Sequence, residues 1–315
     1  MHAIGVDIGG TKIAAGVVDE DGKILARTLR VTDPGDAASI DRAVHEVYVE
    51  LSREFEVGAI GVAAAGFVSA DRSTLLFAPN IAWRDYPLKE HVRALVADDA
   101  VRVVVENDAN AAGWAEFRFG AGRDVQDMLL LTIGTGLGGA LVIGGNLVRG
   151  AWGVAAEVGH MRVVPFGHIC GCGNEGCWEQ YASGSALVRH AQLAIITQPE
   201  RSAQLLMLAG GDASVLEGRH ITTAAMAGDP LSVELLAELG RWIGEGSASV
   251  AAVLDPALVV IGGGVGAAGD LLLEPARHAF DRSLSARGYH PLARFALADM
   301  GNDAGIVGAA DLARI

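Results

Sequence analysis

Three glycine-rich turns, one polar cluster and one knot of cysteines carry the chemistry of this sequence. Asp7-Ile8-Gly9-Gly10-Thr11-Lys12 and Gly134-Thr135-Gly136 each lie between short apolar runs, and Gly262-Gly263-Gly264 follows the run Leu258 to Ile261. Glycines at turns let backbone N–H groups approach a phosphate without Cβ obstruction, and a threonine hydroxyl adds a donor. Asp7, at the end of the first run, is placed to orient a hydrated magnesium ion between nucleotide phosphates; capping its own turn is the alternative. No Gly-x-x-x-x-Gly-Lys-Ser/Thr pattern occurs at these loops, and strand patterns rather than helices follow the first two. Neither a P-loop nor a dinucleotide fingerprint fits, which removes hydride transfer from the leading readings.

Glu106-Asn107-Asp108-Ala109-Asn110 follows the apolar run Val101 to Val105, a strand end and helix start where α/β sheets place their sites. Phosphoryl transfer to a hydroxyl needs a carboxylate to accept the proton and a donor to position the oxygen, roles open to Asp108 and Asn107; helix capping is the alternative for Asp108. All three cysteines fall in Cys170-Gly-Cys172-Gly-Asn-Glu-Gly-Cys177. That spacing suits a closed structural zinc site better than a cytosolic disulfide, with His160 as the natural fourth ligand and His168 competing. Glu157 precedes His160 by one helical turn and Glu179 follows Cys177 by two residues, so one ion would fix two carboxylates able to bind sugar hydroxyls. Solvated surface acids are the plainer reading of that pair.

The elements that must position these groups alternate. Strand patterns over Ala3 to Asp7, Ile13 to Val18 and Lys23 to Arg30 predict an antiparallel meander, followed by a helix over about 37–55 with apolar residues at Ile40, Val44, Val47, Leu51 and Phe55. A strand over Ala59 to Ala64, a helix over Leu88 to Val96 and the strand Val101 to Val105 complete an α/β lobe. The chain then echoes itself. Ile4 to Gly10 and on to Val18 matches Leu129 to Thr135 and on to Val142, which sets Thr132 opposite Asp7 and predicts a second lobe opening with the same unit. Later helices are expected around Gly184 to Ala194 and Pro230 to Val253, a buried strand over Leu258 to Ile261, and a closing helix over Gly305 to Ala313.

The 315 residues are enough for two lobes with their own cores, and 51% hydrophobic residues exclude large-scale disorder. A net charge of −14 is the wrong sign for holding nucleic acid or an anionic membrane surface, so anions must be bound by local backbone devices. Met128 to Val148 is uncharged and long enough to cross a bilayer, but its six glycines read as two strands around a turn. The first residues lack a basic stretch before an apolar run and do not read as a signal peptide, so a cytoplasmic location is expected.

Together the segments DIGGTKIAAGVVD, ENDANAA, LTIGTGLGGALVIGGNLVRG, GVAAEVGH, CGCGNEGCWEQYASG and IGGGV, in this order, resemble the ROK family of sugar kinases, and most closely the bacterial glucokinases within it. The resemblance implies a duplicated, two-lobed α/β fold of the ribonuclease H-like (actin and hexokinase) type with an interlobe cleft. It places a small lobe at 1–115, joined by a C-terminal helix at about 302–315, and a large lobe carrying the zinc site at 116–301. It implies transfer of the γ-phosphoryl group of Mg-ATP to the 6-hydroxyl of D-glucose, with Asp108 as base. Gly66, Asn80, Asn107, Asp108, Glu157, His160 and Glu179 would bind the sugar. Asp7, Gly9, Gly10, Thr11, Lys12, Thr132, Gly134, Thr135, Gly136, Gly262, Gly263 and Gly264 would bind the nucleotide. His160, Cys170, Cys172 and Cys177 would hold zinc, the double role favouring His160 over His168. Family members often carry proline where this chain has Ala65 before Gly66. The resemblance also implies a homodimer or homotetramer and, because the first loop begins at Asp7, leaves no room for the helix-turn-helix of the family's repressors. A kinase for fructose, mannose or an N-acetylated hexosamine is the nearest rival, and a non-catalytic sugar-sensing module a more distant one.

Overall fold

The echo within the sequence has a counterpart in the computed structural model, which describes residues 1–79 and 81–315. The first half runs β1 (His2–Ile8), β2 (Lys12–Val18), β3 (Ile24–Val31), α1 (Ala37–Leu51), β4 (Val57–Ala64), β5 (Phe67–Val68), β6 (Leu75–Phe77), β7 (Arg84–Tyr86), α2 (Leu88–Val96), β8 (Arg102–Asn107) and α3 (Asp108–Phe119). The second half runs β9 (Met128–Ile133), β10 (Leu137–Ile143), β11 (Asn146–Leu147), α4 (Gly184–Thr197), α5 (Ala203–Leu208), α6 (Gly218–Met226), α7 (Pro230–Leu254), β12 (Leu258–Gly262), α8 (Asp270–Ser283), β13 (Arg294–Leu297) and α9 (Ala304–Arg314). Two five-stranded sheets share one plan, β3-β2-β1-β4-β8 and β11-β10-β9-β12-β13. In the first, β1–β2–β3 is an antiparallel meander and β4 and β8 add in parallel. In the second, β12 is parallel to both β9 and β13.

By contact the chain divides into two compact units, Met1–Gln126 with Ala140–Ala156 and Asp299–Ile315, and Asp127–Gly139 with Glu157–Ala298. Helix α3 runs unbroken across 115/116, so this division falls later than the boundary placed from the sequence. The uncharged stretch 128–148 is strand, and among the described residues no helix is long and apolar enough to cross a membrane.

Helix α1 opens on Asp36, whose carboxylate accepts the Ser39 N–H at 3.1 Å, and buries Ile40, Val44, Val47 and Leu51. It ends at Leu51, short of the expected Phe55. Phe55 still packs on the same core from the turn beyond, edge-on to His2, so a core-facing turn residue lengthened the helical period. The small sheet β5-β6-β7, with no expectation behind it, is a short antiparallel meander following β4.

What fixes the first unit is the seat of α9. A Cβ built on Gly5 would lie 1.8 Å from the Ile306 carbonyl oxygen, one on Gly61 1.8 Å from that of Ala309, and one on Gly308 1.8 Å from that of Ala111. Helix α9 therefore meets β1, β4 and α3 backbone to backbone, and Ala3, Val18, Ala59, Val104, Ala115, Val307 and Ala310 pack the spaces between. Any side chain at these glycines must push a helix away, a cost that flexible neighbours cannot absorb. Gly61→Val is expected to lose about 3 kcal/mol of stability, read by urea unfolding of the two proteins side by side; unfolding curves that superimpose would remove this contact from the list of constraints.

Candidate functional site

In the first unit the Gly9–Thr11 turn is closed by Gly9 N–H on the Lys12 carbonyl at 3.0 Å. Buried Thr32 ties it to the end of β3, its hydroxyl donating to the Gly9 carbonyl at 2.8 Å and its N–H to that of Thr11 at 3.1 Å. The Thr11 and Lys12 side chains are left exposed. Asp7, partly exposed at the end of β1, turns its carboxylate to the start of α9; a Cβ on Gly305 would lie 2.7 Å from Oδ2. Burial pushes its carboxyl up to about 6, the negative field of Asp108 adds, and Lys12 partly offsets both.

Asn107 ends β8 and caps α3: its Oδ1 accepts the Asn110 N–H at 2.9 Å, and its Nδ2 donates to the Gly66 carbonyl at 3.1 Å. Asp108, the first residue of α3, accepts the Ala109 N–H at 2.9 Å. It keeps some exposed surface, yet protein surrounds it closely, and that burial raises its carboxyl above the ordinary range against the pull of the backbone N–H groups. Gly66 has φ +156°, and a Cβ there would meet the Phe77 carbonyl at 2.5 Å. Arg84 braces the neighbouring segment by donating to the carbonyls of Ala78, Ile81 and Trp83. Asn80, expected in the sugar site, lies outside the described residues.

Beneath this turn sits a group that sequence reasoning passed over. Glu106 is buried, and its carboxylate takes Arg149 at 2.8 Å through Nε and 2.6 Å through Nη2, Arg72 Nε at 3.3 Å, Asn110 Nδ2 at 3.1 Å and the Asn107 N–H at 3.2 Å. Burial lowers the Arg72 guanidinium to about 10, Glu106 opposing and Arg149 adding, so it stays charged at neutral pH. Its Nη2 also donates to the Leu312 carbonyl of α9 at 3.0 Å. The cluster pins the residues on either side of the β8–α3 junction. The only sequence signal for it was an acid ending an otherwise apolar strand, and its partners come from distant segments.

In the second unit His160, Cys170, Cys172 and Cys177 gather, with one ligand atom from each within 4.8 Å of every other, a group able to hold one metal ion. Cys172 Sγ and Cys177 Sγ are 3.6 Å apart, as are Cys170 Sγ and His160 Nδ1. His168 is elsewhere: its ring packs on Tyr181 at 5.3 Å, and its N–H donates to the Tyr181 hydroxyl. Glu157 and His160 bracket a single 3-10 turn rather than an α-helical one, with the His160 N–H on the Glu157 carbonyl at 3.1 Å. Glu179 joins two sites. Its Oε1 takes the Cys170 thiol at 3.0 Å and lies 4.0 Å from His160 Nδ1, while a Cβ on Gly136 would come within 2.7 Å of Oε2.

Gly136 belongs to the second glycine turn, where the Gly134 N–H meets the Gly136 carbonyl at 3.1 Å. The first turn of α4 donates to this loop, Gly184 N–H to the Gly134 carbonyl at 2.8 Å and Ser185 N–H to that of Thr135 at 3.4 Å. Thr132 and Gly262 pair across the sheet, and Gly263 packs on the Ile133 backbone with φ +85°. Just beyond that pair, Ile133 and Gly264 begin the wall of a cavity of about 650 Å³. Gly134, Thr135, Gly184, Ser185 and Val265 continue the wall, and Leu216–Arg219 and Met226 close it. Those last residues carried no chemical pattern in the sequence. They reach the site because α6 packs against α4 and the turn after β12.

The ROK family model matches residues 3–315. The chain belongs to the ROK family. It is 50% identical over 311 residues to a glucokinase of Streptomyces coelicolor, covering 99% of this chain and 97% of that protein. Its structure resembles that of a ROK family glucokinase from Streptomyces griseus in complex with glucose and AMPPNP, with TM-score 0.90, 51% identity and coverage of 100% and 99% of the two chains. A ROK hexokinase from Thermus thermophilus is also similar, at TM-score 0.80 and 33% identity, covering 100% and 98%. The duplicated α/β plan of the two sheets is thus that of the ROK sugar kinases.

Removing the carboxylate charge at the β8–α3 junction leaves two guanidiniums facing each other in the interior. Glu106→Gln is expected to lose about 3–5 kcal/mol of stability, measured by chemical denaturation; a variant as stable as the parent would show that the cluster organises nothing.

Proposed function

We propose that this protein is a glucokinase that transfers the γ-phosphoryl group of ATP to the 6-hydroxyl of D-glucose. The observation that carries the reading is its full-length likeness to a glucokinase whose structure holds glucose and AMPPNP together. Asp108 takes the proton of the 6-hydroxyl as that oxygen bonds to the γ-phosphorus and the bond to the β-phosphate oxygen breaks, releasing ADP. Its raised carboxyl suits a base that must gain a proton during the reaction, and Asn107 positions the hydroxyl. Asn107, Glu157, His160 and Glu179, with Gly66 and Asn80, bind the sugar. The backbone of Gly9–Thr11, with Lys12, and of Gly134–Gly136 receives the phosphates, Thr132 supports the second loop, and Gly262–Gly264 stands on the nucleoside side. Magnesium, when bound, neutralises phosphate charge, and Asp7 is the carboxylate placed to orient its waters.

The metal ion is proposed to be zinc, held by His160, Cys170, Cys172 and Cys177. Zinc–sulfur bonds of about 2.3 Å in a tetrahedron put sulfurs about 3.8 Å apart, close to the 3.6 Å between Cys172 and Cys177. A closed set of four protein ligands makes the ion structural. A cytoplasmic homodimer or homotetramer completes the proposal. Intact Asp108 and two glycine loops argue against a module that only senses sugar.

The first test is glucose-dependent ADP formation from Mg-ATP, against fructose, mannose and N-acetylhexosamines. Turnover is expected with glucose foremost, and Asp108→Asn is expected to lower kcat by about 10³-fold while leaving the dissociation constant for glucose within a few-fold. Because Asp7 and Asp108 must both be ionised for their roles, kcat/KM should fall as pH drops through about 6, the value to which burial and Asp108 raise Asp7. Full activity in the variant removes Asp108 as base, and an inflection near 4 removes the raised pair. Elemental analysis should find one zinc per chain, lost in Cys172→Ser; a metal-free, fully active parent would sink the zinc assignment.

A further inference from the structure

The cavity beside the second glycine loop has three charged residues in its wall, Arg189, Glu217 and Arg219. Arg219 Nε and Glu217 Oε2 are 2.8 Å apart on a well-exposed surface, so their charges offset each other. Arg189 differs. Among the described residues no carboxylate lies within ion-pair distance of it, one guanidinium nitrogen donates to the backbone carbonyl of Gln180, and its Nε is buried with no partner at all. A partly buried guanidinium with no acid beside it, in the wall of a largely apolar cavity, is a strong attractor for an anion.

Its position says which anion. Ser185 and Arg189 stand four residues apart on α4, hence on one face of the helix. Ser185 N–H is bonded to the Thr135 carbonyl of the phosphate loop, and both residues line the cavity. A ligand running from that loop into the cavity therefore passes Arg189 as it leaves the loop. Resting on the kinase reading above, the geometry points to Arg189 as a further nucleotide-binding residue, which grips the phosphate nearest the nucleoside.

The same guanidinium has a second attachment. Gln180, whose carbonyl it holds, places its own Nε2 3.4 Å from Glu179 Oε1, the carboxylate that also meets Cys170. Arg189 thus joins the nucleotide cavity to the turn that presents Glu179. Nucleotide affinity and the sugar KM should weaken together when this side chain is shortened.

Calorimetry with ADP and with adenosine tests the assignment. In Arg189→Met the ADP dissociation constant is expected to rise at least about tenfold, with adenosine binding within twofold of the parent, because only the charged part of the ligand loses a partner. Arg201→Met, at the exposed Arg201–Glu234 pair away from the cavity wall, should leave both within about threefold. An ADP constant within twofold of the parent overturns the inference, and so does an equal loss for ADP and adenosine, which would mean that the cavity had merely changed shape. Should Arg189→Met fail to fold or lose its metal, Arg189→Lys serves. A single ammonium cannot hold Gln180 and meet a phosphate as a planar guanidinium does, so the ADP constant should rise at least about threefold with adenosine unchanged; ADP binding within twofold of the parent in this variant again overturns the inference. If the parent itself binds no ADP, the kinase reading falls instead.

Discussion

Backbone-to-backbone packing of the C-terminal helix is the constraint on which the first unit depends. Glycine at 5, 61 and 308 lets α9 reach β1, β4 and α3 at distances no side chain allows. Each contacted element carries part of the proposed site. Strand β1 carries Asp7 as its last residue but one, β4 leads to Gly66, and α3 begins with Asp108. One rigid helix therefore sets the spacing of three groups from different stretches of chain, and Arg72 adds a fourth tie through the Leu312 carbonyl. Interiors this dense have few alternative arrangements, which is how a carboxylate can be held near the angle a reaction requires.

The electrostatics follow from that packing. Asp7 and Asp108 are close enough to raise Asp7 further than burial alone would, in a chain that already carries a net charge of −14. Such a protein cannot attract an anionic ligand by its overall field. On the proposed reading it relies on short-range donors: backbone N–H groups at two glycine turns, Lys12 beside one, Arg189 beside the other. A dense patch of positive charge, Arg72 with Arg149, is spent on Glu106. It braces the β8–α3 junction, at which Asp108, the proposed base, begins α3.

Much of this was legible in the sequence because it is written locally. Glycine and threonine between apolar runs announced both hairpin loops, and the repeat of that pattern announced the second sheet before any topology was known. Cysteine spacing pointed to three candidate metal ligands, which the fold brings together. It could not choose between His160 and His168, because that depends on the path of the loop, which sends His168 onto Tyr181. What stayed hidden is what long-range packing creates. Gly5, Gly61 and Gly308 look like any other glycines until α9 lands on them. Arg72, Arg149 and Arg189 look like surface arginines until their partners at Glu106 and Gln180 arrive from elsewhere. Phe55 misled in the opposite sense, keeping a helical period while sitting in a turn.

The discontinuity of the first unit bears on how the molecule comes to be. Its sheet and α3 are made early in synthesis, but the helix that seals them is encoded at Asp299–Ile315, after the whole of the second unit. Until that helix is made, the alanine and valine face of β1, β4 and β8 has no cover, and the clefts at Gly5 and Gly61 stand open to solvent. The closing contacts join residues at opposite ends of the chain, so the entropy of a very long loop must be met before any of them forms. The second unit precedes that helix in the chain and is free to fold first, and the unit carrying Asp7 and Asp108 is completed after it. An apolar sheet face exposed through that interval is a surface on which chaperones and aggregation compete.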